Sequence, residues 1–114
     1  METQQPDANE AIISVGAVTK KISDAITGAF ASTTLWVRGE VSNYRGRNQR
    51  GHMYLNLKSD DALLPAVFFA GKNKSMSFKL EEGAEVIARG KINLYAPHGR
   101  YQMVIDEMLP AGKG

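Results

Sequence analysis

The sequence predicts a mainly-β protein, a five-stranded barrel preceded by one N-terminal α-helix. Three observations lead there. Apolar residues recur at three- and four-residue spacing in one early segment, then at two-residue spacing from Thr34 onward. Gly, Asn, Asp and Pro divide that second stretch into five runs rich in β-branched and aromatic residues. Five strands fall short of the roughly seven that a sandwich needs, and suit a small closed barrel.

The chain has 114 residues, the length of one domain. Residues 1–10 are too polar to bury anything and are expected to form a disordered leader, leaving 11–114 as the folded unit. Ser14 is placed to cap a helix whose apolar positions are Val15, Val18, Ile22, Ala25, Ile26 and Ala29, with Gly28 near its end. Thr34–Ser42 reads as the first strand and His52–Lys58 as the second, joined by the Gly- and Arg-rich loop Asn43–Gly51. Ser59–Asp61 turns the chain into a third strand, Ala62–Ala70, completing a meander. Pro65 cannot donate to a ladder, so this strand is expected to kink or to lie partly at an edge. Gly71–Phe78 lacks alternation and suits a short helical turn. Glu85–Tyr95 and Arg100–Met108 then form a hairpin across Ala96-Pro97-His98-Gly99. Gly39 and Gly90 sit inside strands, where glycine marks a bulge or a bend that lets a sheet curl shut. This order of elements matches an oligonucleotide-binding (OB) barrel.

Composition excludes several classes of function. The apolar share of 43% beside 23% charged residues is that of a globular protein, and no apolar run reaches the roughly 18 residues that span a bilayer. With no cysteine there are no disulfides or thiolate ligands, and no secretory leader is legible, so a cytoplasmic location is expected. The two histidines, His52 and His98, do not make a metal site, and no cofactor is expected. Asp60-Asp61, Glu81-Glu82 and Asp106-Glu107 are read as solvated turns, because neighbours in a strand point in different directions. No nucleophile elbow and no phosphate loop is present, so no catalytic residue is assigned.

What remains is basic and aromatic. The net charge is +2, and setting aside the three leader acids Glu2, Asp7 and Glu10 raises it to +5. Between Arg38 and Lys58 five cations face the single acid Glu40. Such an excess favours polyanions, although a solvated loop has the same composition. Aromatics are interleaved with these cations: the candidate ligands are Arg38, Tyr44, Arg45, Arg47, Arg50, His52, Tyr54, Lys58 and Phe69, joined by Arg100 after the hairpin turn. Single-stranded nucleic acid needs this pairing, since its bases stack on rings while its phosphates seek cations.

Alternation sorts the candidates by face. Leu35, Val37 and Val41 share one side of the first strand, and Trp36, Arg38, Glu40 and Ser42 the other. Met53, Leu55 and Leu57 turn inward, placing His52, Tyr54, Asn56 and Lys58 outward. In the third strand both parities are apolar, so alternation does not choose between Phe68 and Phe69. Cross-strand packing is the competing reading for Tyr54 and Phe69. Trp36 is expected to cover a barrel end against Phe30, and is not assigned as a ligand.

The string Leu35-Trp36-Val37-Arg38-Gly39-Glu40-Val41-Ser42-Asn43-Tyr44, followed by Gly51-His52-Met53-Tyr54-Leu55-Asn56-Leu57-Lys58, resembles the N-terminal domain of the exonuclease VII large subunit. The likeness continues through Val86–Gly90 and Leu94-Tyr95-Ala96-Pro97-His98-Gly99-Arg100-Tyr101-Gln102 to Pro110-Ala111-Gly112-Lys113-Gly114. It implies an OB domain that binds single-stranded DNA and delivers it to a nuclease region of a longer subunit. That subunit is a hydrolase acting in DNA repair, which assembles with the exonuclease VII small subunit through a C-terminal region beyond this chain. The resemblance also favours Phe69 over Phe68, because the family carries an aromatic there and related synthetase barrels use that position against bases. Pro65 and Ala70 depart from the basic or polar residues common in the family, and the arginine-rich loop is expected to compensate. An RNA- or anticodon-binding barrel and a protein-assembly module are the alternatives, since this fold does not dictate function.

Overall fold

The computed structural model describes residues 5–7, 11–31 and 33–112. Of the expected leader, residues 1–4 and 8–10 lie outside the described residues, and 5–7 carry no helix or strand. Lys113 and Gly114, the end of the family-like string, lie outside them as well.

Helix α1 spans Val15–Phe30. The Ser14 hydroxyl accepts the Ala17 amide at 3.0 Å, satisfying one of the free donors of the first turn. The helix runs past Gly28 and stops at Ala31, which adopts the left-handed conformation usually given to glycine. Its buried side differs from the expected one. The half-buried positions are Thr19, Ser23, Ile26 and Phe30, while Val15, Val18 and Ile22 are exposed. Ile26 and Phe30 are the reason: one turn apart, they line one hollow with Leu35, Val37, Leu64 and Ile92 of the barrel. A rigid helix anchored by that pair must turn the rest of the same stripe inward. Trp36 is therefore not the partner of Phe30. It stands on the outer side of its strand, half exposed, with the Arg89 guanidinium 5.7 Å from its ring centre.

The strands are β1 (Leu35–Ser42), β2 (Met53–Ser59), β3 (Ala62–Phe68), β4 (Glu85–Tyr95) and β5 (Arg100–Pro110), with a short helix α2 (Ala70–Asn73) after β3. They close into a barrel in the order β1-β2-β3-β5-β4, as expected of a five-stranded barrel behind one helix. The meander β1-β2-β3 and the hairpin β4-β5 are antiparallel, and the seam joining β3 to β5 is parallel. That seam begins at Ala66 opposite Met103, one residue after Pro65. Pro65 faces Asn56 of β2 and has no partner on β5, so it lies on the edge-like half of its strand.

Gly90 permits closure. The β4-β5 register slips between Arg89 and Gly90, and a Cβ at Gly90 would lie 2.1 Å from the Val104 carbonyl oxygen. The slip leaves Asp106 without an opposite residue, so Asp106 and Glu107 both turn toward Arg89, at 2.7 Å and 3.5 Å. Strict alternation would have separated these two acids. They hold an arginine rather than line a solvated turn.

The interior alternates as anticipated. Val41, Met53, Leu55, Leu57, Ala66, Phe68, Val86, Ala88, Met103, Ile105 and Met108 form one buried cluster, joined by Leu80 from the link after α2.

Candidate nucleic-acid interface

The outer face of β2 presents Tyr54, which is 51% exposed, with Asn56 two residues on. The neighbouring strand β3 ends at Phe68, which is 1% exposed and fully in the core. Phe69 has left the ladder: it precedes α2 with an extended backbone, and its carbonyl accepts the Lys72 and Asn73 amides. Its ring is 41% exposed on the same side as Tyr54. The choice between the two phenylalanines, undecided by alternation, is made by this turn.

His52 stands between the two exposed rings. Its Nδ1 accepts the Ala70 amide at 3.0 Å, and its ring meets Phe69 edge-on at 5.1 Å and Tyr54 at 6.4 Å. Three ring systems are thus braced at right angles along one rim. The opposite rim is the β4-β5 hairpin tip, where Tyr95 and His98 pack edge-on at 5.1 Å and Arg100 and Gln102 follow on β5. Between the rims lies a cleft of about 510 Å3, floored by Val67 and closed at one corner by Asn43. Aromatic walls, amide side chains and one arginine can stack a base, bond its edge and pair with a phosphate.

The arginine-rich loop beside this cleft is built, not loose. Asn48 Oδ1 accepts the amides of Arg50 and His52, each at 2.9 Å, folding the loop on itself. Asn73 is buried, and its amide donates to the Gly51 and Phe68 carbonyls while its Oδ1 accepts Arg47 Nε at 3.3 Å. Gly51 has a φ of +83°, and a Cβ there would approach the Ala70 Cβ at 3.1 Å, so the loop end lies tightly against α2. At the other end the Glu82 carboxylate accepts the Asn43 and Tyr44 amides at 3.0 and 2.9 Å. Those two bonds, Tyr44 first, hold its pKa below the ordinary value, with Lys58 and Arg45 assisting. Glu82 thus differs from the solvated turn residue that the sequence predicts. It is the anchor of the basic loop.

The structure divides the candidate ligands. His52, Tyr54, Phe69 and Arg100 surround or brace the cleft, and Arg45, Arg47 and Arg50 are exposed on the adjoining loop. Tyr44 is half-buried and packs on the core cluster. Arg38 lies 3.4 Å from Glu85 and, with Lys58, borders a separate hollow beside Leu63 at the far end of β2. The residues missed are Asn43, Asn56, Tyr95, His98 and Gln102. Tyr95 had a signal, since Ile92 and Leu94 on one parity leave Asn93 and Tyr95 on the other. Among the described residues no three histidines or acids are grouped as a metal would require, and no helix is long and apolar enough to cross a membrane.

The sequence model of the family described as OB-fold nucleic acid binding domain matches residues 13–109. The chain belongs to this family. Within it, the chain is similar to the exodeoxyribonuclease 7 large subunit of Geobacillus kaustophilus, with 43% identity over 102 residues, 90% of this chain and 22% of that protein. The subunit of the same name from Halalkalibacterium halodurans is 42% identical over 106 residues, 93% of this chain and 23% of its own length. The chain therefore spans about a fifth of the curated relatives it matches. Among solved structures, the second OB-fold domain of replication protein A from Methanococcus maripaludis superposes with a TM-score of 0.53 at 14% identity, covering 73% of this chain and 88% of that one. A replication protein A heterotrimer bound to ssDNA gives a TM-score of 0.56 at 12% identity, covering 70% of this chain and 58% of its own. At those identities the likeness is one of fold.

Proposed function

We propose that this OB domain binds single-stranded DNA in the cleft between His52-Tyr54-Phe69 and Tyr95-His98-Arg100, and that it delivers the strand to the nuclease region of an exodeoxyribonuclease 7 large subunit. The observation that carries this reading is the convergence of exposed rings from β2, the turn into α2 and the end of β4 on one open cleft beside a braced arginine loop. A core would have buried those rings. A duplex site would present a helix or ribbon to a groove rather than a row of separate stacking faces. In the cell the domain works in the cytoplasm, within a repair hydrolase whose small subunit attaches elsewhere on the large one.

Titration of the purified chain with labelled single strands at several salt concentrations tests the reading. Binding without cleavage, weakening linearly in log affinity against log salt, is the expected result. Competition with a matched RNA separates the DNA reading from an anticodon-type site, because only a site built for RNA rewards the 2′-hydroxyl. The absence of any salt-sensitive binding would return the barrel to a protein-assembly role.

A further inference from the structure

Phe69 is a wall of two clefts. Beyond the one described above lies a second of about 510 Å3, bounded by Phe69, Lys72 at the end of α2, Lys91 and Asn93 of β4, Val104 of β5 and the C-terminal turn of α1. The two hollows lie on one continuous surface. On β5 the outward residues run Arg100, Gln102, Val104, Asp106, and the β4 register sets Tyr95, Asn93 and Lys91 beside the first three of them. Arg100, Gln102 and Tyr95 belong to the first cleft, and Val104, Asp106 and Lys91 to the second.

The charges point the same way. The one acid on the second cleft, Asp106, is held by Arg89 at 2.7 Å. Lys72 and Lys91 have no ion pair among the described residues. Two unpaired ammonium groups thus flank a groove whose acid is already neutralised, with the Thr27 and Thr33 positions on its helix-side wall. Phosphates suit such a groove, and the shared Phe69 ring allows one chain of bases to pass from one cleft into the other.

We propose that the second cleft is a further subsite for the same single strand, which crosses Phe69 and sets its next phosphates between Lys72 and Lys91. This rests on the first cleft being a nucleic-acid site. On this reading α1 and α2 do more than close the barrel, because they form the walls that guide the strand away from it.

The test uses the whole chain with oligo-dT of about 4 and about 12 nucleotides, the range of site sizes for single OB barrels. A Lys72→Ala/Lys91→Ala variant is compared with Lys20→Ala/Lys21→Ala, which removes the same charge from an exposed part of α1. Folding of both variants is checked by thermal melting. The expected result is unchanged affinity of the first variant for the short strand, a loss of roughly tenfold for the long one, and a long-strand salt slope shallower by about 1.4. The Lys20/Lys21 variant should behave as wild type. Equal losses for both lengths, or equal losses in both variants, would overturn the second subsite while leaving the first cleft standing. Failure of the wild type to bind either strand would overturn the first cleft and this subsite together.

Discussion

The Nδ1 atom of His52 accepts the Ala70 amide hydrogen at 3.0 Å. That bond couples the end of the arginine loop to the start of α2. The same ring braces Phe69 and Tyr54 edge-on. His52→Ala should therefore leave the Ala70 amide unpaired, at a cost of about 1–3 kcal/mol of folding stability in thermal or urea melts. Its effect on oligonucleotide affinity should be coupled to that of Phe69→Ala by about 0.5–3 kcal/mol in a double-mutant cycle. Additive effects would show that His52 does not position the ring.

Tyr54 and Phe69 should behave oppositely to their neighbour Phe68. Tyr54→Ala and Phe69→Ala are each expected to weaken single-strand binding by about 1–3 kcal/mol while changing melting little. Phe68→Ala empties a fully buried site and should cost about 3–5 kcal/mol of stability. Melting curves beside titrations separate the two classes. A large melting loss for Tyr54→Ala or Phe69→Ala, with affinity intact in the folded fraction, would make those rings structural.

The loop arginines should act through phosphates. Arg45→Ala or Arg50→Ala is expected to weaken all sequences alike and to flatten the salt slope by about 0.7 per contact removed. Arg47→Ala should do this and also loosen the loop, because its Nε is bonded to buried Asn73. A changed sequence preference at constant salt slope would instead mean that these residues read bases.

Acid should release the loop from its Glu82 end. The native carboxylate, bonded to the Tyr44 and Asn43 amides, has a pKa below its ordinary value of about 4.5. A depressed pKa contributes stability that is present above the ordinary value and lost as pH falls through the lower native one. Amide exchange at Asn43 and Tyr44 should therefore accelerate, relative to the β2 amides, only at pH below about 4.5. In Glu82→Gln the same acceleration should already be present at neutral pH.

Gly90→Ala should be among the most damaging of small substitutions. Its Cβ would lie 2.1 Å from a backbone oxygen of β5, so a strand must move rather than a side chain. The expected loss reaches or exceeds about 3 kcal/mol, the upper part of the ordinary overpacking range. Because the displaced oxygen belongs to Val104, on the surface joining the two clefts, long oligonucleotides should be affected before short ones. A melting temperature equal to wild type would show that the bulge can shift sideways.

Much was legible in the amino-acid order alone, because helix and strand periods are set by sterics within a few residues. Ser14 capping α1, five strands broken at Gly, Asn, Asp and Pro, Met53-Leu55-Leu57 inward with Tyr54 outward, and a bulge-forming Gly90 all follow from local pattern. The arginine content of the loop, and so its attraction for polyanions, is likewise a property of the sequence.

Barrel closure decided the rest. It brings β5 against β3 although Ala66 and Met103 are 37 positions apart in the chain, and only then do Tyr95, His98 and Arg100 face Tyr54 and Phe69 across one cleft. The same closure selects Ile26 and Phe30 as the anchor of α1 over the longer Val15-Val18-Ile22 stripe, and slips the register so that Asp106 and Glu107 share Arg89. It also gives Glu82, His52 and Asn73 their partners in the loop and α2. Those contacts join residues far apart in the chain, and their free energy depends on which surfaces are left to be buried once the strands have met. Local periodicity carries no record of that choice.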